Sequence, residues 1–181
     1  MQIYLVTSNP KKVNEFKQIL PKNIKISTAS IDLDEIQSLD TKKIIKHKLK
    51  QAYGQIHKPV IVEDVSVELR DLNGLPGPFV KYFMQQLGRD ALYKLAPNSK
   101  VKVISTMGFY DGKNTIIVNG VVNGKIAPPS KVTLFGFDCT VIPNGQTKTF
   151  AELGNEYKNL HSHRALASKK LVNKLENYLN K

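Results

Sequence analysis

The first twelve residues constrain the architecture more than any other stretch. The apolar run Ile3-Tyr4-Leu5-Val6 stops at Thr7-Ser8-Asn9-Pro10-Lys11-Lys12, and a helical pattern follows. A short run of this kind reads as a buried strand, and the polar turn opens a helix. The first N–H groups of a helix have no intrahelical partner. Flanked by hydroxyls and ammonium groups, they suit a polyphosphate. A capped helix with solvated lysines is the plain alternative.

The rest of the chain begins with βαβ-type pieces. Asn9 is a good N-cap and Pro10 a good first helical residue. Val13, Phe16, Ile19 and Leu20 then give one apolar face over Pro10–Leu20, and Pro21 stops the helix. Residues 24–29 alternate as a second strand, and a loop carries Asp32, Asp34 and Glu35. A second helix starts at Asp40-Thr41. Ile44, Ile45, Leu49, Ala52, Tyr53 and Ile56 form its inner stripe, with the stem of Lys48 interleaved. Val60-Ile61-Val62 is a fully apolar run typical of a central strand. It is expected to end at Glu63-Asp64, and acids at a buried strand end are costly unless they serve a purpose.

A turn-dense loop, Leu72 to Pro78, precedes short helices over Phe79–Leu87 and Asp90–Leu95. Val101–Phe109 and Thr115–Val122 are β-rich and joined around Asp111-Gly112-Lys113 as a hairpin. Asn123-Gly124 suggests a further turn, and Gly136–Val141 a further strand. A closing helix runs from about Ser162 to Leu179, with Leu171, Val172, Leu175, Tyr178 and Leu179 on one face. No repeat, low-complexity segment or linker is visible, so residues 1–181 are expected to form one domain.

At 181 residues the chain can build one substantial core, or a core with a small lobe. No stretch approaches the ~20 apolar residues of a membrane-spanning helix. The chain runs straight into its first strand, so no targeting segment is expected. A lone cysteine, Cys139, makes no intrachain disulfide, and a reducing, cytoplasmic setting is the default expectation. The net charge of +12 attracts anions, with nucleic acid and nucleoside triphosphate both candidates. The lysines are spread along the chain, and no aromatic–basic ladder for single strands is visible. A solvated lysine-rich surface is the plain reading.

Four segments have the residue types for chemistry. Thr7 to Lys12 suits phosphate. Glu35 and Glu63-Asp64 suit a hard cation such as Mg²⁺, which takes one or two carboxylates plus substrate phosphates; a surface acid and a turn cap are the alternatives. Phe135-Gly136-Phe137-Asp138 suits a flat ring and a base edge, or else a strand with core phenylalanines. Lys158-Asn159 and Ser162-His163-Arg164 stand near a helix start. Arginine there opposes the helix dipole and calls for another reason, such as a bound anion or a purine carbonyl; an exposed basic turn is the alternative. No Ser-His-Asp order, zinc spacing or Walker pattern occurs.

Together these segments resemble the inosine/xanthosine triphosphate pyrophosphatase family. Thr7-Ser8-Asn9-Pro10-Lys11-Lys12 is similar to its Thr-x-Asn-x-x-Lys turn. Asp34-Glu35-Ile36-Gln37 is similar to its Pro-Glu-x-Gln segment, with Asp34 for proline. Val62-Glu63-Asp64 with Leu72–Pro78 is similar to its most recognisable block. Phe135–Asp138, Thr149-Phe150-Ala151-Glu152 and Lys158-Asn159…Ser162-His163-Arg164 complete the order.

The resemblance implies an α/β fold: two-lobed, an elongated mixed β-sheet flanked by helices, with a deep cleft between the lobes, commonly as a homodimer. It implies Mg²⁺-dependent hydrolysis of ITP, dITP and XTP to the monophosphate and pyrophosphate. Thr7, Ser8, Asn9, Pro10, Lys11 and Lys12 would hold the triphosphate. Glu35 and Asp64 would manage the metal, with Asp64 also orienting the attacking water and Lys12 aiding catalysis. Phe135, Gly136, Phe137, Asp138, His163 and Arg164 would hold the base, with Lys158 nearby. Arg164 only donates, so it would favour a 6-carbonyl over the adenine amino group. Two departures stand out: Val65 replaces the usual Ser or Thr in the substrate-contacting block, and Cys139 replaces a proline. The partner expected is thus a small nucleotide, with no membrane and no specific nucleic acid. A Maf-type pyrophosphatase acting on modified pyrimidines, or a non-catalytic basic nucleic-acid binder, are the rival readings.

Overall fold

A computed structural model describes residues 2–20, 25–132 and 136–179. The opening run forms β1 (Ile3–Val6) and the turn after it starts α1 (Pro10–Ile19). Next come β2 (Ile26–Ala29), α2 (Thr41–Ile56), β3 (Val60–Leu69) and the two-residue β4 (Pro76–Gly77). Then follow α3 (Val80–Leu87), α4 (Ala91–Leu95), β5 (Lys100–Tyr110) and β6 (Thr115–Ile126). The described chain closes with β7 (Val141–Pro143), α5 (Phe150–His161) and α6 (His163–Leu179). The stop expected at Pro21, the strand start at Ile24 and the ring of Phe135 lie outside the described residues.

These strands make one open seven-stranded sheet, ordered β2-β1-β3-β5-β6-β7, with β4 on the free edge of β3. β1 lies parallel to β2 and β3; every other pairing is antiparallel. The mixture follows from the connections: α1 and α2 carry the chain back across the sheet, whereas the turn at Asp111–Asn114 simply reverses it.

Alternation along the long strands sorts the core. On one face Val60 and Val62 pack with Ile45, Leu49 and Ala52 of α2. The other face carries two separate apolar clusters. Ile61, Met107, Phe109 and Val118 pack on Phe16 of α1 and on Ala167, Leu171 and Leu175 of α6. Farther along the same strands, Val67, Leu69, Val101 and Val103 pack on Val80, Leu92 and Phe150. The two lobes are these two clusters strung on β3, β5 and β6. Between them the strands present Glu63 and Ser105, both buried.

Two glycines set how closely the helices approach. A Cβ on Gly108 would lie 2.4 Å from Ile45 Cγ2 of α2. A Cβ on Gly120 would lie 2.0 Å from the His163 carbonyl and 2.3 Å from the Ala167 nitrogen. The second contact is backbone to backbone, so only glycine lets the start of α6 press onto β6.

Four sequence expectations need correction. β3 does not end at Glu63-Asp64 but runs through them to Leu69, because Ser66 to Leu69 continue the ladder with β5. Asn123-Gly124 is no turn; both residues pair inside β6, with Val101 and Lys102 as partners. Residues 136–140 form turns rather than a strand, and only Val141–Pro143 pairs. Helix α5 was not anticipated, although Thr149-x-x-Glu152 is a capping box: the Thr149 side chain accepts from the Glu152 N–H, and Glu152 accepts from the Thr149 N–H.

Candidate active site

A cleft of about 530 Å³ lies between the two clusters, beside the free edge of β3. Its origin is a mismatch of strand lengths. β1 pairs with β3 only at Val60 and Ile61, and β4 pairs again only at Val67 and Glu68. Between them the edge of β3 is left open, just beyond the carboxyl end of β1, where open α/β sheets bind ligands. Because successive side chains alternate, Glu63 and Asp64 leave that edge on opposite faces and both line the cleft.

On the α6 face Glu63 anchors a closed ion network. Arg164 donates through Nε to Glu63 Oε1 at 2.9 Å and through Nη2 to Oε2 at 3.0 Å. Ser105 Oγ donates to Oε1 at 2.7 Å, and Lys12 Nζ stands 3.1 Å from Oε2. Arg164 Nη1 also pairs with Glu15. Lys158 bridges Glu15 at 2.6 Å and Asp138 at 2.5 Å. Burial pushes the Glu63 carboxyl up, but the charges of Arg164 and Lys12 more than offset it and hold it well below the usual range. Burial likewise pulls Arg164 down, and Glu63 and Glu15 more than restore it, so it stays charged. Asp138 is pushed up to about 6 by burial, which Lys158 only partly opposes.

From inside the protein, two carboxylates, those of Glu63 and Glu15, balance the arginine at the start of α6. The helix mouth of α1 is also less open than its sequence suggests. Asn9 Oδ1 accepts from the N–H of Lys11 at 3.0 Å and of Lys12 at 3.4 Å, so the cap occupies those amides.

On the α2 face the arrangement is looser. Lys48 Nζ donates to Asp64 Oδ1 at 2.7 Å and to Glu35 Oε1 at 2.8 Å. Lys81 Nζ, from an exposed position on α3, reaches the other Glu35 oxygen at 3.5 Å. Burial pushes the Asp64 carboxyl above its ordinary value, with Lys48 and Lys12 only partly opposing it. Burial raises Glu35 too, but Lys48, Lys81 and Lys12 win and its pKa is lowered.

The rings of Phe137 and His163 lie 6.1 Å apart at 33°. Burial and the neighbouring Arg164 push the imidazole down to about 3, so it is neutral at ordinary pH. Its Nδ1 is buried with no hydrogen-bond partner among the described residues. A buried polar atom of this kind calls for a partner beyond the described side chains, a water or a ligand.

Thr7, Ser8, Asn9, Pro10 and Lys12 line the cleft together with Glu35, Asp64 and Val65. Gly136, Phe137, Asp138, His163 and Arg164 complete the lining, and Arg164 and Lys12 meet on the same Glu63 oxygen. Lys158 lies behind this wall, buried against Asp138, and Lys11 is outside the lining on the exposed side of α1. Sequence reasoning passed over Lys48, Lys81 and Glu15. For Lys48 a signal existed, a lysine inside the apolar stripe of α2. Nothing local distinguishes Glu15 or Lys81 from solvated charges. A second depression, about 950 Å³ between β3, β5, β6 and β7, is larger, but it is lined by surface lysines and turn residues without a converging buried group.

For a divalent cation, the donor set fits a hard ion. Two carboxylates already bracket a positive charge, that of Lys48. No cluster of three or more His, Cys, Asp or Glu side chains occurs among the described residues, so an ion here would draw further oxygens from phosphate and water, as Mg²⁺ does.

An open α/β sheet with a ligand-sized cleft beyond the end of its first strand defines a broad class of α/β proteins, and the sequence settles the family. The Ham1 family profile matches residues 3–174, and the chain belongs to the Ham1 family. It is 36% identical to the inosine triphosphate pyrophosphatase of Schizosaccharomyces pombe, over 98% of this chain and 97% of that one. The fold is also that of the Ham1 protein of Staphylococcus aureus (TM-score 0.77, 24% identity, 98% of this chain and 100% of that one). A HAM1 protein from Coxiella burnetii is similar, with TM-score 0.81 and 23% identity over 98% of this chain and 99% of that one.

Proposed function

We propose that this chain hydrolyses non-standard purine nucleoside triphosphates, ITP, dITP and XTP, to the monophosphate and pyrophosphate. One observation carries the reading. A single cleft is lined both by the cations Lys12, Lys48 and Lys81 and by the rings of Phe137 and His163. Relatives named for this activity over nearly the whole chain support it.

In this reading Thr7, Ser8, Asn9 and Lys12 hold the triphosphate, with Lys48 and Lys81 added from the other wall. Glu35 and Asp64 hold Mg²⁺, which when bound offsets charge on the departing pyrophosphate. Asp64 orients a water in line with the α-phosphorus. Its raised pKa makes it a better base than an exposed carboxylate, though positioning supplies the larger share. At the base end Phe137 offers a face and the neutral His163 one unmatched hydrogen-bonding atom. Asp138 and Lys158 form a polar pair behind them. Arg164, held in place by Glu63 and Glu15 and lining the cleft, carries only hydrogen-bond donors and so favours a carbonyl oxygen at purine position 6 over an amino group.

The reading extends to a homodimer, for which exposed Ile36, Leu39 and Leu75 offer apolar surface, and to a reducing cytoplasmic setting. No helix among the described residues is long and apolar enough to cross a membrane.

Pyrophosphate release from ITP, dITP, XTP, dUTP, TTP and the standard triphosphates, with and without Mg²⁺, tests the proposal. Release from the three deaminated purines, lost on adding EDTA, is the expected result. Preference for modified pyrimidines would instead favour a Maf-type enzyme. Salt-dependent RNA or DNA binding with no release would favour a nucleic-acid module.

A further inference from the structure

Lys48 occupies the place between the two acids read above as the Mg²⁺ pair. Its Nζ is 2.8 Å from Glu35 Oε1 and 2.7 Å from Asp64 Oδ1, and its side chain is 7% exposed. One ammonium therefore takes one oxygen of each acid and stands between the two groups that would hold the cation. The stem rises from the buried stripe of α2, beside Ile44, Ile45 and Leu49. A lysine is retained there only if its charge is matched at the tip. Lys81 adds a second ammonium on the outer oxygen of Glu35. Two acids are thus balanced by two lysines before any ion arrives.

We propose that Lys48 is the resident cation of the Glu35–Asp64 pair, and that it yields the place to a divalent ion only when a triphosphate gives its ammonium a new partner. This rests on the reading of Glu35 and Asp64 as the metal-holding acids. Three things follow from the chain's own geometry. A dication entering alone would meet a like charge at contact distance and would strip Lys48 of both carboxylate partners without replacing them. A triphosphate in the same cleft supplies acceptor oxygens, and the four-carbon stem of lysine lets Nζ swing to them. Nucleotide and ion are therefore admitted together, and the protein without nucleotide has little affinity for the free ion.

Mn²⁺ binding, read from loss of the free aqua-ion signal in electron paramagnetic resonance, tests this on the full chain without nucleotide. The unaltered protein should bind Mn²⁺ weakly. Lys48→Met keeps most of the stem and removes the charge, and should bind it about tenfold or more tightly. The double variant Glu35→Gln/Lys48→Met should lose that gain, placing it at this pair. With an uncleavable α,β-imido analogue of ITP present, the unaltered protein should match or exceed Lys48→Met, because Lys48 then has phosphate to bind. Equal Mn²⁺ affinity of the two proteins without nucleotide, both folded by circular dichroism, overturns the proposal. So does tight Mn²⁺ binding by the unaltered protein without nucleotide, which needs no variant and decides the matter if Lys48→Met fails to fold. Failure of the metal reading shows elsewhere: pyrophosphate release that survives EDTA removes Glu35 and Asp64 as a metal pair, whereas the exchange stands or falls on the Mn²⁺ titrations.

Discussion

The two faces of β3 carry adjacent acids with opposite fates. Glu63 is 2% exposed at its side chain, gripped by two of the three guanidinium nitrogens of an arginine that is itself 1% exposed, and tied through Glu15 and Lys158 to Asp138. Asp64, one residue on, pairs with the ammonium of Lys48; its neighbour Glu35 is 30% exposed and Lys81 57%. The Glu63 side is planar, bidentate and dry, so its charges cannot rearrange without leaving an ion uncompensated. The Asp64 side is built from ammonium tips on flexible stems and opens to solvent, so its partners can be exchanged. One side is a frame that holds a wall in position. The other is where ions and phosphates can come and go.

The comparison breaks most readily at Asp64. Asp64→Asn preserves shape and removes the charge, and should cut turnover on ITP by about 10²–10⁴ with little change in unfolding midpoint. Steady-state kinetics beside thermal unfolding would read both, and near-normal turnover would mean that the exchangeable side is not the chemical one. The counterpart is Glu63→Gln, which strands part of the Arg164 guanidinium in a buried site. It should cost about 3–5 kcal/mol in urea unfolding, with activity lost because the cleft wall loosens. An unchanged urea midpoint would show that this network is no frame.

The smallest effect concerns pH. Asp138 has a folded pKa of about 6 against an ordinary 3.8, so the folded state binds its proton more tightly than the unfolded state. That contribution is fully present below about pH 4 and is lost as pH rises through 6. Asn at this position has no such dependence. The unaltered protein should therefore gain on Asp138→Asn by roughly 1–3 kcal/mol as pH falls from 7.5 to 4.5. Urea midpoints of both proteins at the two pH values measure it, and a constant difference would mean that Lys158 keeps Asp138 ionised.

Local elements were legible where one short-range force decides them. The β1–α1 junction follows from an apolar run, an Asn cap and a proline, and α2 from Asp40 and a 3.6-residue stripe. Many residues of the motif segments, from Thr7 to Arg164, line the cleft, whereas Lys11 and Lys158 stand outside its lining. Reading failed where distant pairing overruled a local signal. Asn123-Gly124 looks like a turn, but the ladder to Val101 and Lys102 keeps it extended. Glu63-Asp64 looks like a strand end, but buried cations let β3 run on. Phe150–His161 was missed, although its capping box stands in the sequence.

The sequence by itself determined the first strand and helix, the apolar stripes, the family and the set of charged groups available to the site, because each depends on residues near one another in the chain or on their order. Only the tertiary structure decided which charge meets which. Arg164 is separated from Glu63 by 101 residues and from Glu15 by 149, and Lys48 from Asp64 by 16, so no local spacing announces these pairs. They form because burial makes an unmatched charge costly, and the sheet brings these few opposite charges within reach.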